Sequence, residues 1–130
     1  MNIFILEDEI HQYPRNQILE VLAGHTLTIA TSCDEAKQKY KKGSYDLVLL
    51  DHDMRGFFDS SDFPNTGFQF VLWLIDQGEV GKQQAPIMLH SQNPTGRRNM
   101  HVKLEAAGYV VSQMPFSPKY VEWLRKNVSK

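Results

Sequence analysis

The chain has 130 residues, 14 Lys and Arg against 15 Asp and Glu, and a formal net charge of −1. Its 42% hydrophobic and 22% charged content is that of an ordinary globular chain, and its length fits one domain, 1–130, with one core. Near-neutral charge excludes a broad electrostatic pull toward nucleic acid or anionic membrane, though not a local basic patch. No apolar run reaches transmembrane length, and the start, Met1-Asn2-Ile3-Phe4-Ile5-Leu6-Glu7-Asp8, lacks the basic and apolar regions of a signal peptide. Cys33 is the single cysteine and has no internal disulfide partner, so a cytoplasmic setting is expected.

Residues 2–6 are apolar and β-prone and run straight into Glu7-Asp8-Glu9, which predicts a first strand ending in acid. Pro14 and Gly24 bracket a helix with Ile18, Leu19 and Leu22 as its apolar stripe. A β-branched strand follows over 26–30. Ser32 and Glu35 then have capping-box spacing and open a helix to about residue 42. Residues 46–50 form the third strand, whose run Leu47-Val48-Leu49-Leu50 ends in Asp51-His52-Asp53. An apolar run that stops in charge reads as a buried parallel strand with its carboxyl end in a polar site.

Residues 54–65 are rich in turn formers and read as a loop. Its aromatics, Phe57, Phe58 and Phe63, either fold back onto the domain or form a lid or partner surface over the site. Thr66 caps a helix to about residue 77, and 86–90 form the fourth strand. Asn93-Pro94 starts a helix that runs to Ala107 and stops at Gly108. The fifth strand spans 109–112. Ser117-Pro118 opens a last helix with Val121, Leu124 and Val128 on one face.

Strands alternating with helices predict an α/β fold: a doubly wound five-stranded parallel sheet with helices on both faces. In the flavodoxin-like order 2-1-3-4-5, strands one and three adjoin at the switch point, where ligands bind. Glu7, Asp8, Asp51 and Asp53 then converge at one edge. Carboxylates gathered in one place repel one another, and a hard divalent cation, Mg2+, is the simplest way to hold them together. Ser91 is expected across from Asp51, where its hydroxyl would reach a phosphate oxygen. Strict alternation points His52 and His90 to the face opposite Asp51 and Ser91, and toward each other. The helix start at Asn93, with Arg97 and Arg98, offers free N–H groups and guanidinium donors to an anion.

Ile3 to Glu9, Tyr45 to Asp51, Pro86 to Ser91 and Met114-Pro115-Phe116 together resemble the receiver domain of bacterial response regulators over essentially the whole chain. The resemblance implies an acidic pair at Glu7 and Asp8, a phosphoacceptor at Asp51 and a switch hydroxyl at Ser91. Magnesium would be held by Asp8, Asp51 and the main-chain carbonyl of Asp53. As a phosphorelay module of a two-component system, such a domain takes a phosphoryl group from a histidine kinase and signals to an output protein. The chain departs from that pattern at Met114, where the family places the lysine that pairs with the phosphoryl group.

Leu50-Asp51-His52-Asp53, Thr66-Gly67-Phe68 and the segment from His90 to Met100 resemble an atypical receiver branch proposed to process cyclic phosphates at RNA ends. That resemblance implies a stand-alone, Mg-dependent phosphoester-processing protein. Asp51, His52 and His90 would be its catalytic residues, Ser91, Asn93 and Arg97 its phosphate ligands, and Glu7, Asp8, Asp51 and Asp53 its metal site. A phosphorelay receiver using Asp51, and a pseudo-receiver that only binds a partner, are the two alternatives.

Overall fold

The computed structural model describes residues 1–58, 64–77 and 85–128, with side chains described outside 55–65. Five parallel strands form the main sheet: β1 (Asn2–Leu6), β2 (Thr26–Ala30), β3 (Leu47–Leu50), β6 (Ile87–Leu89) and β7 (Val111–Gln113). Their order is β2-β1-β3-β6-β7, the expected 2-1-3-4-5 once a small second sheet is set aside.

The strands read as continuous apolar runs because both sheet faces are covered. Alternate residues enter two separate cores. Phe4, Leu6, Val48, Leu50 and Leu89 pack against α2 (Cys33–Tyr40), α3 (Gly67–Asp76) and α4 (Pro94–Ala106). Ile3, Ile5, Leu49 and Met88 pack on the opposite face against α1 (Gln17–Val21) and α5 (Pro118–Asn127). Cys33 is buried in the first core.

Four helix starts carry the caps that the sequence predicts. The Glu35, Gln69, Gly96 and Tyr120 amides donate to the side chains of Ser32, Thr66, Asn93 and Ser117. Glu35 also reaches back past the cap residue, accepting from the Thr31 amide at 2.6 Å. α1 is shorter than expected. Its N-cap, Asn16, makes no side-chain cap bond, and the preceding segment is wound in turns, with the Gln12 amide on the Glu9 carbonyl and the Gln17 amide on the Pro14 carbonyl.

The expected loop at 54–65 is in part a two-stranded antiparallel sheet of β4 (Asp53–Phe58) and β5 (Pro64–Thr66). Turn-forming composition concealed it, because the pairing is made between segments and the β-prone residues are few. The expectation of a Phe57, Phe58 and Phe63 lid falls outside the described side chains. Among the described residues no helix is long and apolar enough to cross a membrane.

Candidate functional site

The carboxyl ends of the strands place four residues in one row. Leu6 pairs with Leu50, Leu50 with Leu89, and Leu89 with Gln113. The next position on each strand is therefore Glu7, Asp51, His90 and Met114. The ladder bonds continue into this row: the Asp51 amide donates to the Leu6 carbonyl, His90 to Leu50 and Met114 to Leu89.

This register corrects two expectations. His90, not Ser91, lies beside Asp51. Ser91 is one position further on and buried, and its Oγ accepts from the Asn93 amide at 3.0 Å. It shapes the turn into α4. The two histidines also do not face each other. His90 shares the α5 side with Asp51, while His52 turns to the α4 side, because the true pairing differs by one residue from a count starting at Pro86 and one residue reverses the face.

His90 is fully buried and both ring nitrogens are engaged. Nε2 donates to Glu7 Oε1 at 2.9 Å, and Nδ1 lies 3.3 Å from the Tyr120 hydroxyl. The rings of His90 and Tyr120 stack. Burial pushes the Tyr120 hydroxyl well above its ordinary range, with the Glu7 charge adding to it, so Tyr120 stays neutral beside His90.

Arg15, which the sequence reading passed over, completes the pocket. Its Nη1 donates to Glu7 Oε1 at 2.5 Å and lies 3.7 Å from Asp51 Oδ2. The guanidinium rests over the Phe116 ring, 4.5 Å from its centroid. Arg15 comes from a turn rather than a strand tip, so no periodicity marks it. The available signal was chemical: an acidic cluster facing Met114 needs a cation from somewhere else.

The three carboxylates differ in state. Burial alone would raise Glu7, but the bonds and charges of His90 and Arg15 hold it down at about 2. Asp8 is pushed up to about 6 by burial and by the neighbouring Glu7, Asp51 and Glu9 charges. Asp51 is also raised, by burial first and the Glu7 charge, partly offset by His90, the His52 amide and Arg15. Glu7 is thus committed inside the protein, while Asp8 and Asp51 are both held above the ordinary carboxylate range. Potential ligand atoms of Glu7, Asp51 and His90 lie within 4.8 Å of one another, as do those of Glu7, Asp8 and Glu9. The available donors of Asp8 and Asp51 are oxygens that repel each other, which fits a hard divalent cation such as magnesium.

On the other side, Asp51 Oδ1 accepts from the His52 amide at 2.8 Å. The Asp53 carboxylate, largely exposed, accepts from His52 Nδ1 at 2.9 Å and from the Asn93 side chain at 3.3 Å. Asn93 also caps α4 through Gly96, so its side chain is spent on building the site. Arg97 Nε is buried with no hydrogen-bond partner among the described residues.

Two glycines let α3 and α4 close on this turn. A Cβ at Gly67 would stand 1.9 Å from the Asp51 carbonyl oxygen, and the Gly67 amide donates to the His52 carbonyl at 2.7 Å. A Cβ at Gly96 would stand 2.5 Å from His52 Cγ. Gly96→Ala is expected to gain about 1 kcal/mol in helix propensity and to lose more by driving into the imidazole. The expected sign is a shift of the His52 ring signals in a carbon–proton NMR spectrum. Unchanged His52 signals would show that the ring is not held by this contact.

Beside Phe116 runs a groove of about 580 Å³, lined among others by Tyr13, Gln17, Gln92 and Arg125. The acidic row lies outside its lining.

The fold and site define a receiver-type domain of the response-regulator class. Residues 1–106 match the family described as "Cyclic-phosphate processing Receiver domain", and the chain belongs to that family. Among solved structures it is similar to the response regulator TrrA of Thermotoga maritima in complex with Mg(2+)-BeF, at 24% identity and a TM-score of 0.63, covering 96% of this chain and 94% of that one. It is similar to the chemotaxis response regulator CheY4 of Vibrio cholerae at 21% identity and a TM-score of 0.64, covering 98% of each chain. The receiver domain of NtrX from Brucella abortus is similar at 20% identity and a TM-score of 0.60, covering 96% of this chain and 98% of that one. No curated protein matches the sequence.

Proposed function

We propose that the protein opens cyclic phosphodiesters with water in a magnesium-dependent reaction, a 2′,3′-cyclic phosphate at an RNA end being the substrate to test. The observation that carries this reading is the Asp51 turn, where a buried carboxylate adjoins a histidine, His52, bonded to Asp53 and packed beside Gly96. Water adds to phosphorus, one P–O ester bond breaks, and the leaving ribose oxygen takes up a proton, so the product is a phosphomonoester.

Asp8 and Asp51 would hold the metal, and Glu7 supports them from inside the protein. When bound, magnesium supplies charge neutralisation at the phosphate and acidifies an attacking water. His52 is the better proton carrier of the two histidines. Its side chain is 17% exposed, against 0% for His90. His90 instead positions Glu7 and Tyr120. Arg97 and the N-terminal turn of α4 are the elements to receive phosphate oxygens, and Asn93 orders that turn.

Phosphorus NMR on a short RNA ending in a 2′,3′-cyclic phosphate tests the reading. With magnesium, the cyclic signal is expected to become a monoester signal. Asp51→Asn should stop the conversion, and His52→Ala should slow it by about 10²-fold or more. A cyclic signal unchanged by excess protein would overturn the proposal.

A second reading has its own support. TrrA, a structural neighbour, is known in complex with Mg(2+)-BeF, and Asp51 here lies at the carboxyl end of β3. Phosphate would then pass from a histidine kinase to Asp51, with an output protein as partner. An acyl phosphate trapped on Asp51 without turnover of the cyclic substrate would favour it.

A further inference from the structure

We infer that Arg15 is a phosphate-binding residue of this site, a cation delivered from the turn between β1 and α1 into the acidic row. The inference rests on reading the site as one for a phosphate-bearing ligand. It adds a residue that neither the sequence motifs nor the strand tips contain.

A guanidinium has five N–H donors in a fixed planar fork. The ion pairs that Arg15 makes among the described residues run through Nη1 alone, one at 2.5 Å to Glu7 and a looser one at 3.7 Å to Asp51. Glu7 anchors one corner of the fork and Phe116 supports its face. The remaining donors are not used by these pairs. The side chain is 12% exposed, so it is oriented by the protein and still reachable at its edge. Arg15 is also the cation that lies within ion-pair distance of Asp51 among the described residues.

An anion approaching Asp8 and Asp51 meets two carboxylates and Glu7 behind them. A cation fixed beside them lowers that barrier, and a planar fork matches two phosphate oxygens where a lysine ammonium would match one. Just past β7 at the equivalent place stands Met114, a half-buried thioether packed against the core beside α1 and α5. Arg15 reaches the same row with its guanidinium over Phe116, a residue that also lines the neighbouring groove.

A purely structural role, neutralising Glu7, makes a different prediction: lysine would replace arginine without loss. The test therefore compares wild type, Arg15→Lys and Arg15→Gln for binding of inorganic phosphate at saturating Mg2+, read from the phosphorus NMR line width. Thermal melts establish folding in parallel. Arg15→Lys is expected to melt near wild type and to weaken phosphate binding about tenfold. Arg15→Gln is expected to weaken it further. Phosphate affinity of Arg15→Lys within twofold of wild type, or wild type that binds no phosphate, would overturn the inference. Turnover is not measured, so failure of the hydrolytic reading and failure of Arg15 as a ligand are separately visible.

Discussion

Gly67→Ala is expected to destabilise the protein by about 3 kcal/mol, a fall of about 10 °C in melting temperature for a chain of this size. The added Cβ would meet the Asp51 carbonyl oxygen at 1.9 Å and its carbonyl carbon at 2.9 Å. Backbone cannot swing aside as a long side chain can. Either α3 withdraws, opening the packing of Phe70 and Val71, or the Asp51 turn is pushed out of line. The Gly67 amide bond to the His52 carbonyl is lost in both cases. Magnesium binding should therefore weaken with stability. Gly24→Ala is the control. It has a φ of +95° and nothing within 4 Å of its Cβ, so only backbone strain applies, about 1 kcal/mol. A Gly67→Ala melt no lower than the Gly24→Ala melt would show that the helix start does not clamp the site.

What the sequence discloses about this protein is what local chemistry decides. Ser32, Thr66, Asn93 and Ser117 each bond an amide three residues along, and the pattern of polar residue before apolar face reveals each one. The buried strands announce themselves through runs such as Leu47–Leu50. The acidic ends follow from where those runs stop. Pairing across strands is another matter. Nothing near Ser91 or His90 states which of them meets Asp51, because the pairing of Val48 with Ile87 fixes it from several residues away. The same holds for β4 and β5, where Asp53 pairs with Thr66 across segments that turn-forming residues dominate in sequence. Arg15 lies eight residues after Glu7 in sequence and reaches it only because the intervening turns fold back. Motif glycines sit between these cases. Gly67 and Gly96 are visible as residues, but their purpose, admitting Asp51 and His52 at contact distance, exists only in three dimensions.

Without divalent metal, the protein is expected to be more stable at pH 5 than at pH 7.5. Asp8 titrates near 6 in the folded chain against an ordinary 3.8. Between those values the folded state holds a proton that the unfolded chain has released, so stability rises as pH falls through 6 and is fully gained below 3.8. Glu7 acts the other way. Held at about 2 against an ordinary 4.5, it stabilises the fold above 4.5, and that contribution is lost as pH falls toward 2. Between pH 3.8 and 4.5 the two trends cancel, so on these two groups the metal-free optimum should lie at about pH 4. Magnesium held by Asp8 and Asp51, as proposed, would take over the role of that proton, so its stabilising effect should be large at pH 7.5 and fade below pH 6. Asp8→Asn should stabilise the metal-free protein at pH 7.5 by about 1 kcal/mol after solvent screening, and Asp51→Asn should act in the same direction. Both should abolish the magnesium-induced rise. Thermal melts followed by fluorescence of Trp73 and Trp123, with and without magnesium at the two pH values, read all of these outcomes. If Asp8→Asn lowers the metal-free melting temperature at pH 7.5, the carboxylates are already relieved inside the protein and the case for a cation between them fails. If Asp8→Asn raises it while magnesium still stabilises the variant, the ion binds elsewhere, and the proposed reaction loses its metal.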